Sequence, residues 1–423
     1  MTFAKNKDII YREIKVKKKR NECYMELTEK QKEGLELALK RFKDGCQYTT
    51  IAGYAGTGKS TLVKFIIAAL AQEGIDPEED VVYTSFTGKA TQVLQKKGNK
   101  NVSTLHKLLY KHYPLPNGGY RKERIEHLDY KVIVVDECSM VPKSLFKDLA
   151  RHTYVYIICL GDPGQLPPIN SDEDNHLLDN PHIFLDEIMR QAAESEIIQL
   201  TMKIRNNEKI DYMQGKEVQV IHKSDLNTGM LLWADQVLCA TNAMRHSLNT
   251  QMRELLGKTG EPQDGDKMIC LRNYWDTFSD AEDALVNGTI GTLKHSYSTY
   301  VNIFPYKTIE DNSRLEILKT DFISDTNEGF NDLSMDIKLI KENKNSLDWK
   351  NSFRMGKNPR TKHYMPMEFA YGYAITGHKS QGSEWDKVLV IEEKFPFDKE
   401  EHQRWLYTCC TRAAQKLVLV RVD

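Results

Sequence analysis

Apolar residues fall at positions 27, 35, 38, 39 and 42 of the stretch LTEKQKEGLELALKRF, a spacing that predicts a helix over 27–42 with Thr28 as its N-cap. The pattern then changes to short apolar or β-branched runs at 49–51, 81–83, 132–135 (VIVV) and 155–160 (VYIICL), separated by helix-compatible segments such as LVKFIIAALA at 62–71. Continuous apolar strands alternating with helices predict a parallel sheet covered on both faces. The pattern restarts with strand candidates at 236–240 (QVLCA), 387–391 (KVLVI) and 417–420 (LVLV), so two α/β sheets are expected.

Two stretches break this alternation. Residues 110–121 (YKHYPLPNGGYR) carry a turn and hairpin signature. Residues 291–364 are rich in β-formers, Asn, Asp and Lys with little helical period, which predicts a small all-β insertion. The expected organisation is a polar basic leader over 1–24 and a first α/β domain over 25–200, with a hairpin insertion near 110–128. A second domain is built from 201–290 and 365–423, with a β-rich insertion over 291–364.

Composition narrows the function classes. The 423 residues suffice for two or three domains. Lys plus Arg number 59 against 60 Asp plus Glu, a formal charge of -1, so no global basic field marks a nucleic-acid coat. The charge-biased segment KVKKKR at 15–20 reads first as a solvated tail and second as an auxiliary phosphate-binding arm. The eight cysteines form no CxxC pair, which argues against a zinc site and for reduced structural thiols. No apolar run approaches the roughly 18 residues of a membrane span and no signal-peptide core precedes the helix, so a cytoplasmic protein is expected.

The chemistry begins at 53–60, GYAGTGKS, a full match to GxxxxGK[ST] placed between a predicted strand and a predicted helix. Loop amides and a helix N-terminus make an anion site for phosphate oxygens. Gly53, Gly56 and Gly58 allow close backbone approach, and Thr57 and Thr61, on either side of Lys59 and Ser60, are further nucleotide-binding candidates. Lys59 is expected at the β and γ phosphates and Ser60 on Mg²⁺. A P-loop needs a carboxylate at the end of an apolar strand, and VIVVDE at 132–137 supplies Asp136 for the metal and Glu137 as base or water-orienting group. These residues predict an Mg²⁺-dependent ATPase.

DECSM at 136–140 and GDPGQLPPI at 161–169 resemble motifs II and III of superfamily 1 helicases, in particular the RecD and Dda group. Further segments match that group in order. LTEKQ at 27–31 resembles its Q-motif, TGKA at 87–90 motif Ia, STLHKLL at 103–109 motif Ib and MRQAAESEII at 189–198 motif IV. YAITGHKSQGSEWDKVLV at 373–390 and WLYTCCTRA at 405–413 resemble motifs V and VI. The resemblance implies two RecA-like P-loop domains with parallel sheets, a β-hairpin insertion and an SH3-like β-rich insertion. The implied activity is ATP-dependent translocation on single-stranded DNA, 5′ to 3′, with duplex unwinding.

The resemblance also implies roles. Gln31 reads adenine, Gln165 reports the γ-phosphate, Arg190 and Arg412 stabilise transition-state charge, and Gly382 and Glu384 approach phosphate and ribose. Thr87, Lys89, Ser103, Thr104, His106, Thr376, His378 and Lys379 fall on loops after strands, where hydroxyls and cations suit phosphate contacts. Phe86 replaces the group's proline before Thr87 and reads as a core residue or a base-stacking platform. Tyr110, Tyr113 and Tyr120 flank the PNGG turn of the predicted duplex-splitting hairpin. The expected partners are single-stranded DNA and its junctions with duplex, with a monomeric chain and a single-strand-binding or replication protein alongside. Three alternatives stay open: an RNA helicase or remodeller of the same superfamily, a P-loop ATPase that separates no strands, and a helicase-like subunit that works only inside a recombination nuclease complex.

Overall fold

The computed structural model describes residues 27–114, 120–167, 175–272, 274, 285–302, 314–325, 327–342, 366–396 and 398–422. The basic leader, the PNGG turn and all of 343–364 lie outside these residues. Among the described residues the strands are β1 (Tyr48–Gly53), β2 (Val81–Ser85), β3 (Val102–Thr104), β4 (Tyr110–Pro114), β5 (Tyr120–Arg124), β6 (Val132–Asp136), β7 (Tyr156–Gly161), β8 (Ile183–Leu185), β9 (Met213–Gln214) and β10 (Val218–His222). They continue as β11 (Gln236–Cys239), β12 (Lys267–Cys270), β13 (Ile290–Asn302), β14 (Arg314–Ser324), β15 (Gly329–Asp336), β16 (Phe369–Tyr371), β17 (Ala374–Thr376), β18 (Trp385–Ile391) and β19 (Ala413–Arg421).

The chain divides into two compact units. The first runs to Phe86 and includes Leu94–Leu109 and Glu126–Asn206; the second holds Thr87–Val93, Tyr110–Ile125 and the chain from Asn207 onward. The β4–β5 hairpin therefore groups with the second unit, where the sequence pattern had placed it in the first.

The first unit is a six-stranded, wholly parallel sheet in the order β3-β2-β6-β7-β1-β8. Its helix Lys59–Ala71 buries Leu62, Val63, Ile66, Ile67 and Leu70 against β1 and its neighbours, each such side chain contributing roughly 1.5–3 kcal/mol on burial. The helix Glu29–Lys43 begins at Thr28 with a full capping box, in which Thr28 Oγ1 accepts from Gln31 N at 3.3 Å while Thr28 N donates to Gln31 Oε1 at 3.0 Å.

In the second unit a sheet in the order β17-β11-β18-β19-β10-β9 is parallel except for the two-residue strand β9. An antiparallel sheet, β15-β14-β13-β12-β16, follows the helix Asn242–Leu255 and packs Phe322, Phe330 and Phe369 in its core. This sheet reaches from Lys267 to Tyr371, wider than the 291–364 insertion expected from composition. The difference arises because the apolar run KMIC of β12 pairs with β13 and β16 instead of joining the parallel sheet. A buried pair, Arg253 Nε to Asp266 Oδ1 at 3.1 Å, with Tyr373 Oη donating to Asp266 at 2.9 Å, fixes the helix to both chain crossings of that sheet. The seven described cysteines are all free, and burial pushes the Cys159, Cys239 and Cys270 thiols up to about 12, the behaviour of inert core thiols.

Candidate nucleotide and nucleic-acid sites

In the first unit every predicted catalytic segment follows the carboxyl end of a parallel strand, the edge at which open α/β sheets bind ligands. The loop after β1 turns through Gly56 (φ 78°) and Gly58 (φ 80°), both left-handed, and delivers the chain into the helix Lys59–Ala71. That helix has no side-chain cap and no acidic residue in its first turn, so its leading N–H groups are directed at the loop. A Cβ at Gly53 would lie 2.7 Å from Thr57 Oγ1 and 2.9 Å from the Leu185 carbonyl, so glycine is required by close approach there. Lys59 Nζ donates to the Gly53 and Tyr54 carbonyls at 2.5 and 3.0 Å, which holds the ammonium over the loop. Thr57 is buried, with its hydroxyl donating to Tyr54 O at 2.8 Å, whereas Ser60 is exposed and Thr61 half-buried.

Gln31 is fully buried behind this loop. Its Nε2 donates to the Thr57 carbonyl at 3.1 Å while its Oε1 accepts from Thr28 N, so both ends of the amide brace the P-loop from within the protein. Met189 N donates to Gly56 O at 3.1 Å, and a Cβ on Gly58 would meet Met189 Sδ and Gln31 Nε2 at 2.4 Å each. The segment carrying Arg190, which opens the helix Arg190–Ala193, is thus seated on the P-loop itself. The pattern of residues had not singled out Met189, because a methionine ahead of a short helix carries no chemical signal of its own.

Two strands away, β6 ends at Asp136, whose Oδ1 accepts from Glu137 N at 3.0 Å. Burial and the neighbouring Glu137 push the Asp136 carboxyl up, opposed by Lys97, the Glu137 N–H and Lys59. Glu137 sits at φ 51°, ψ 46°, a left-handed conformation that costs a non-glycine residue roughly 1–2 kcal/mol. Gln165 is buried in the turn after β7, where Gly164 N donates to the buried Asp162 carboxylate at 2.9 Å. The donor set suits a hard cation: the Ser60 hydroxyl and Asp136 carboxylate offer oxygen donors, and no group of three or more His, Cys, Asp or Glu capable of holding a metal occurs among the described residues. Such a site leaves most of the ion's coordination to phosphate and water, the usual habit of Mg²⁺.

The predicted nucleic-acid residues lie at helix starts. Thr87 Oγ1 accepts from Ala90 N at 3.2 Å after β2, and Thr104 Oγ1 accepts from Lys107 N at 3.2 Å after β3. Thr376 caps the short helix Gly377–Ser380 after β17. Ser103 donates to the Thr104 carbonyl, and half-buried Phe86 lies 5.6 Å from the His106 ring in a tilted contact. The expected row of cations is more engaged than foreseen. Lys89 pairs with Asp325 at 3.6 Å, Lys379 donates to Asn287 Oδ1 at 2.8 Å, and burial lowers the pKa values of Lys379 and His378.

In the second unit Gly382 (φ 72°) packs so tightly that a Cβ would sit 2.9 Å from Ala90 Cβ and 3.0 Å from Thr87 Oγ1. Arg412 is buried at the end of the helix Lys399–Cys410. Its Nε donates to Thr408 O at 3.0 Å, Nη1 to Ser383 O at 3.2 Å and Nη2 to Thr411 Oγ1 at 3.1 Å. One guanidinium therefore ties the Gly382–Glu384 turn to that helix; Glu384 itself is exposed. Of the hairpin tyrosines, Tyr110 is buried and Tyr113 exposed.

A glycine-lined phosphate loop, an acidic strand end and a second parallel sheet define a P-loop NTPase of the two-sheet motor type. Residues 26–225 match the AAA domain family model, and residues 371–420 match the UvrD-like helicase C-terminal domain. The chain is 26% identical over 469 residues to an uncharacterized protein of Acanthamoeba polyphaga mimivirus, covering 87% of this chain and 94% of that one. It is 32% identical over 194 residues to the ATP-dependent DNA helicase dda of Enterobacteria phage T4, covering 43% of each chain, so the match spans less than half of that relative. A Bacteroides Pif1 helicase crystallised with ADP-AlF3 and single-stranded DNA shares the fold at a TM-score of 0.50 and 17% identity, covering 94% of this chain and 93% of that one. These matches make the chain similar to the superfamily 1 helicases, in particular to the group that contains RecD and Dda.

Proposed function

We propose that this chain is an ATP-dependent DNA helicase that translocates 5′ to 3′ on single-stranded DNA and unwinds duplex at single-strand/duplex junctions. The observation that carries the reading is one sheet edge. The carboxyl ends of β1, β6 and β7 present the P-loop, the Asp136–Glu137 pair and Gln165, while β3 of the same sheet ends in Thr104 and Thr87 follows β2 in the chain. A chemical step and a polymer grip on one rigid sheet is the arrangement a motor needs. The polarity rests on the resemblance of the motifs alone, whereas the DNA helicase dda and the Pif1 structure with single-stranded DNA support DNA as the strand.

In this reading the loop amides and Lys59 take the β and γ phosphates, Lys59 leaving the Gly53 and Tyr54 carbonyls for the stronger charge-assisted contact. Ser60 and Asp136 would hold Mg²⁺, which would supply neutralisation of phosphate charge. Glu137, aimed by its left-handed backbone, orients water for in-line attack. Arg190 and Arg412 are the proposed sources of guanidinium charge for the γ oxygens. Thr87, Ser103, Thr104, His106, Thr376, His378, Lys89 and Lys379 contact the strand backbone, which carries no sequence information. Gln31 and Glu384 are the residues proposed for base and ribose, Gln31 by exchanging the Thr57 carbonyl for the adenine edge. The chain works as a monomer in the cytoplasm, that of a host cell if a phage encodes it. No helix among the described residues is long and apolar enough to cross a membrane.

The test is ATP hydrolysis by the full chain with poly-dT, with poly-U and without polymer. Stimulation by poly-dT that disappears in Lys59→Ala supports the reading; equal stimulation by poly-U favours an RNA remodeller, and hydrolysis indifferent to either polymer refutes a strand motor.

A further inference from the structure

The two lysines expected on the DNA, one following β2 and one following β17, are both held by the antiparallel sheet. Lys379 Nζ donates to Asn287 Oδ1 at 2.8 Å, and Lys89 Nζ lies 3.6 Å from Asp325 Oδ2. Asn287 and Asp325 belong to two turns of that sheet that are stitched together, since Asp325 N donates to Ile290 O at 2.9 Å. The same turns press on the loop that carries Lys89. Val286 is buried and its methyl would lie 2.1 Å from a Cβ on Gly88, so the helix Gly88–Lys96 starts flush against the sheet. The two holders differ chemically. Asn287 is a neutral acceptor that orients an ammonium without cancelling its charge, whereas the Asp325 carboxylate presents to Lys89 what a nucleic-acid phosphate would present.

Resting on the proposed DNA motor reading, we propose that Asp325 is a positioning residue of the antiparallel sheet that occupies Lys89 as an internal substitute for a backbone phosphate, so that a DNA strand must displace it. The side chain of Lys89 is 12% exposed and that of Asp325 37%, so the pair is screened by solvent on the acid's side and is exchangeable rather than locked. Asn287 acts in the opposite sense, keeping the Lys379 ammonium directed for the strand. The antiparallel sheet thereby sets the grip of two separate motifs at once.

The experiment is fluorescence anisotropy of a dye-labelled dT oligonucleotide with the full chain at low salt, for wild type, Asp325→Asn, Lys89→Ala and the double variant. The competing pair predicts that Asp325→Asn tightens binding by about two- to fivefold, the range of a solvent-screened ion pair. It also predicts that this gain vanishes in the Lys89→Ala background. An unchanged affinity in Asp325→Asn, or an equal gain with and without Lys89, overturns the inference, the latter because it reports only the loss of one negative charge. Asn287→Ala is expected to weaken binding, and tighter binding there contradicts the opposed roles. A wild-type chain that does not bind the oligonucleotide refutes the motor reading instead, which keeps the two failures apart.

Discussion

Gln31 offers the sharpest test of how the nucleotide site is built. Its side chain is fully buried and makes two hydrogen bonds, Thr28 N to Oε1 at 3.0 Å and Nε2 to Thr57 O at 3.1 Å. Removing the amide in Gln31→Ala loses both bonds and leaves a buried N–H and a buried carbonyl, at about 1 kcal/mol per bond plus the desolvation left behind, so a loss of about 2–4 kcal/mol is expected. Gln31→Glu separates the two contacts. A carboxylate still accepts from Thr28 N, preserving the capping box, but faces the Thr57 carbonyl with no donor and a buried charge. Nucleotide-free urea unfolding of the first transition, followed by fluorescence, measures the cost, with Gln31→Glu expected to be destabilised as well despite its conserved cap. Wild-type midpoints for both variants would refute the claim that Gln31 braces the P-loop before any nucleotide binds.

The remaining predictions concern the grip, the second unit and pH. Gly382→Ala places a methyl 2.9 Å from Ala90 Cβ at φ 72°, a conformation costing roughly 1–2 kcal/mol for alanine, so polymer-stimulated hydrolysis measured by phosphate release should fall more than unstimulated hydrolysis. Arg412→Lys keeps a charge but cannot reach Thr408, Ser383 and Thr411 together, so it should lose most turnover while ATP binding, followed by a fluorescent analogue, changes little. His182 Nδ1 accepts from Thr50 N at 3.0 Å, which requires the unprotonated nitrogen, and burial followed by Arg41 lowers its pKa. A depressed histidine contributes stability that is complete above the unfolded value of about 6.5 and is lost as pH falls below it, whereas His182→Ala should flatten that slope in melts between pH 7.5 and 5.5.

Much of this molecule is legible in its residues because its strands are continuous apolar runs. VIVV, VYIICL, KVLVI and LVLV each appear as a parallel strand within a few residues of the expected span. The three-residue strands β3, β8 and β17 escaped notice because three residues carry no period, and β8 exposes Phe184 at its centre. β12 was unassigned because an apolar tetrapeptide does not reveal whether its partners run parallel or antiparallel. At the site, motif spacing proposes Lys59, Asp136 and Glu137, and the helicase resemblance proposes Arg412. Neither could foresee Met189 over the P-loop or Asp325 against Lys89, contacts made by residues far apart in the chain and without chemical signature of their own.

The central claim is strand separation driven by the P-loop, and its most direct measurement is unwinding of a short duplex bearing only a 5′ or only a 3′ single-stranded tail, with ATP and Mg²⁺, by wild type and Lys59→Ala. The account predicts release of the displaced strand from the 5′-tailed duplex alone and none from either duplex with Lys59→Ala. Preference for the 3′ tail, or unwinding that survives loss of Lys59, would contradict it.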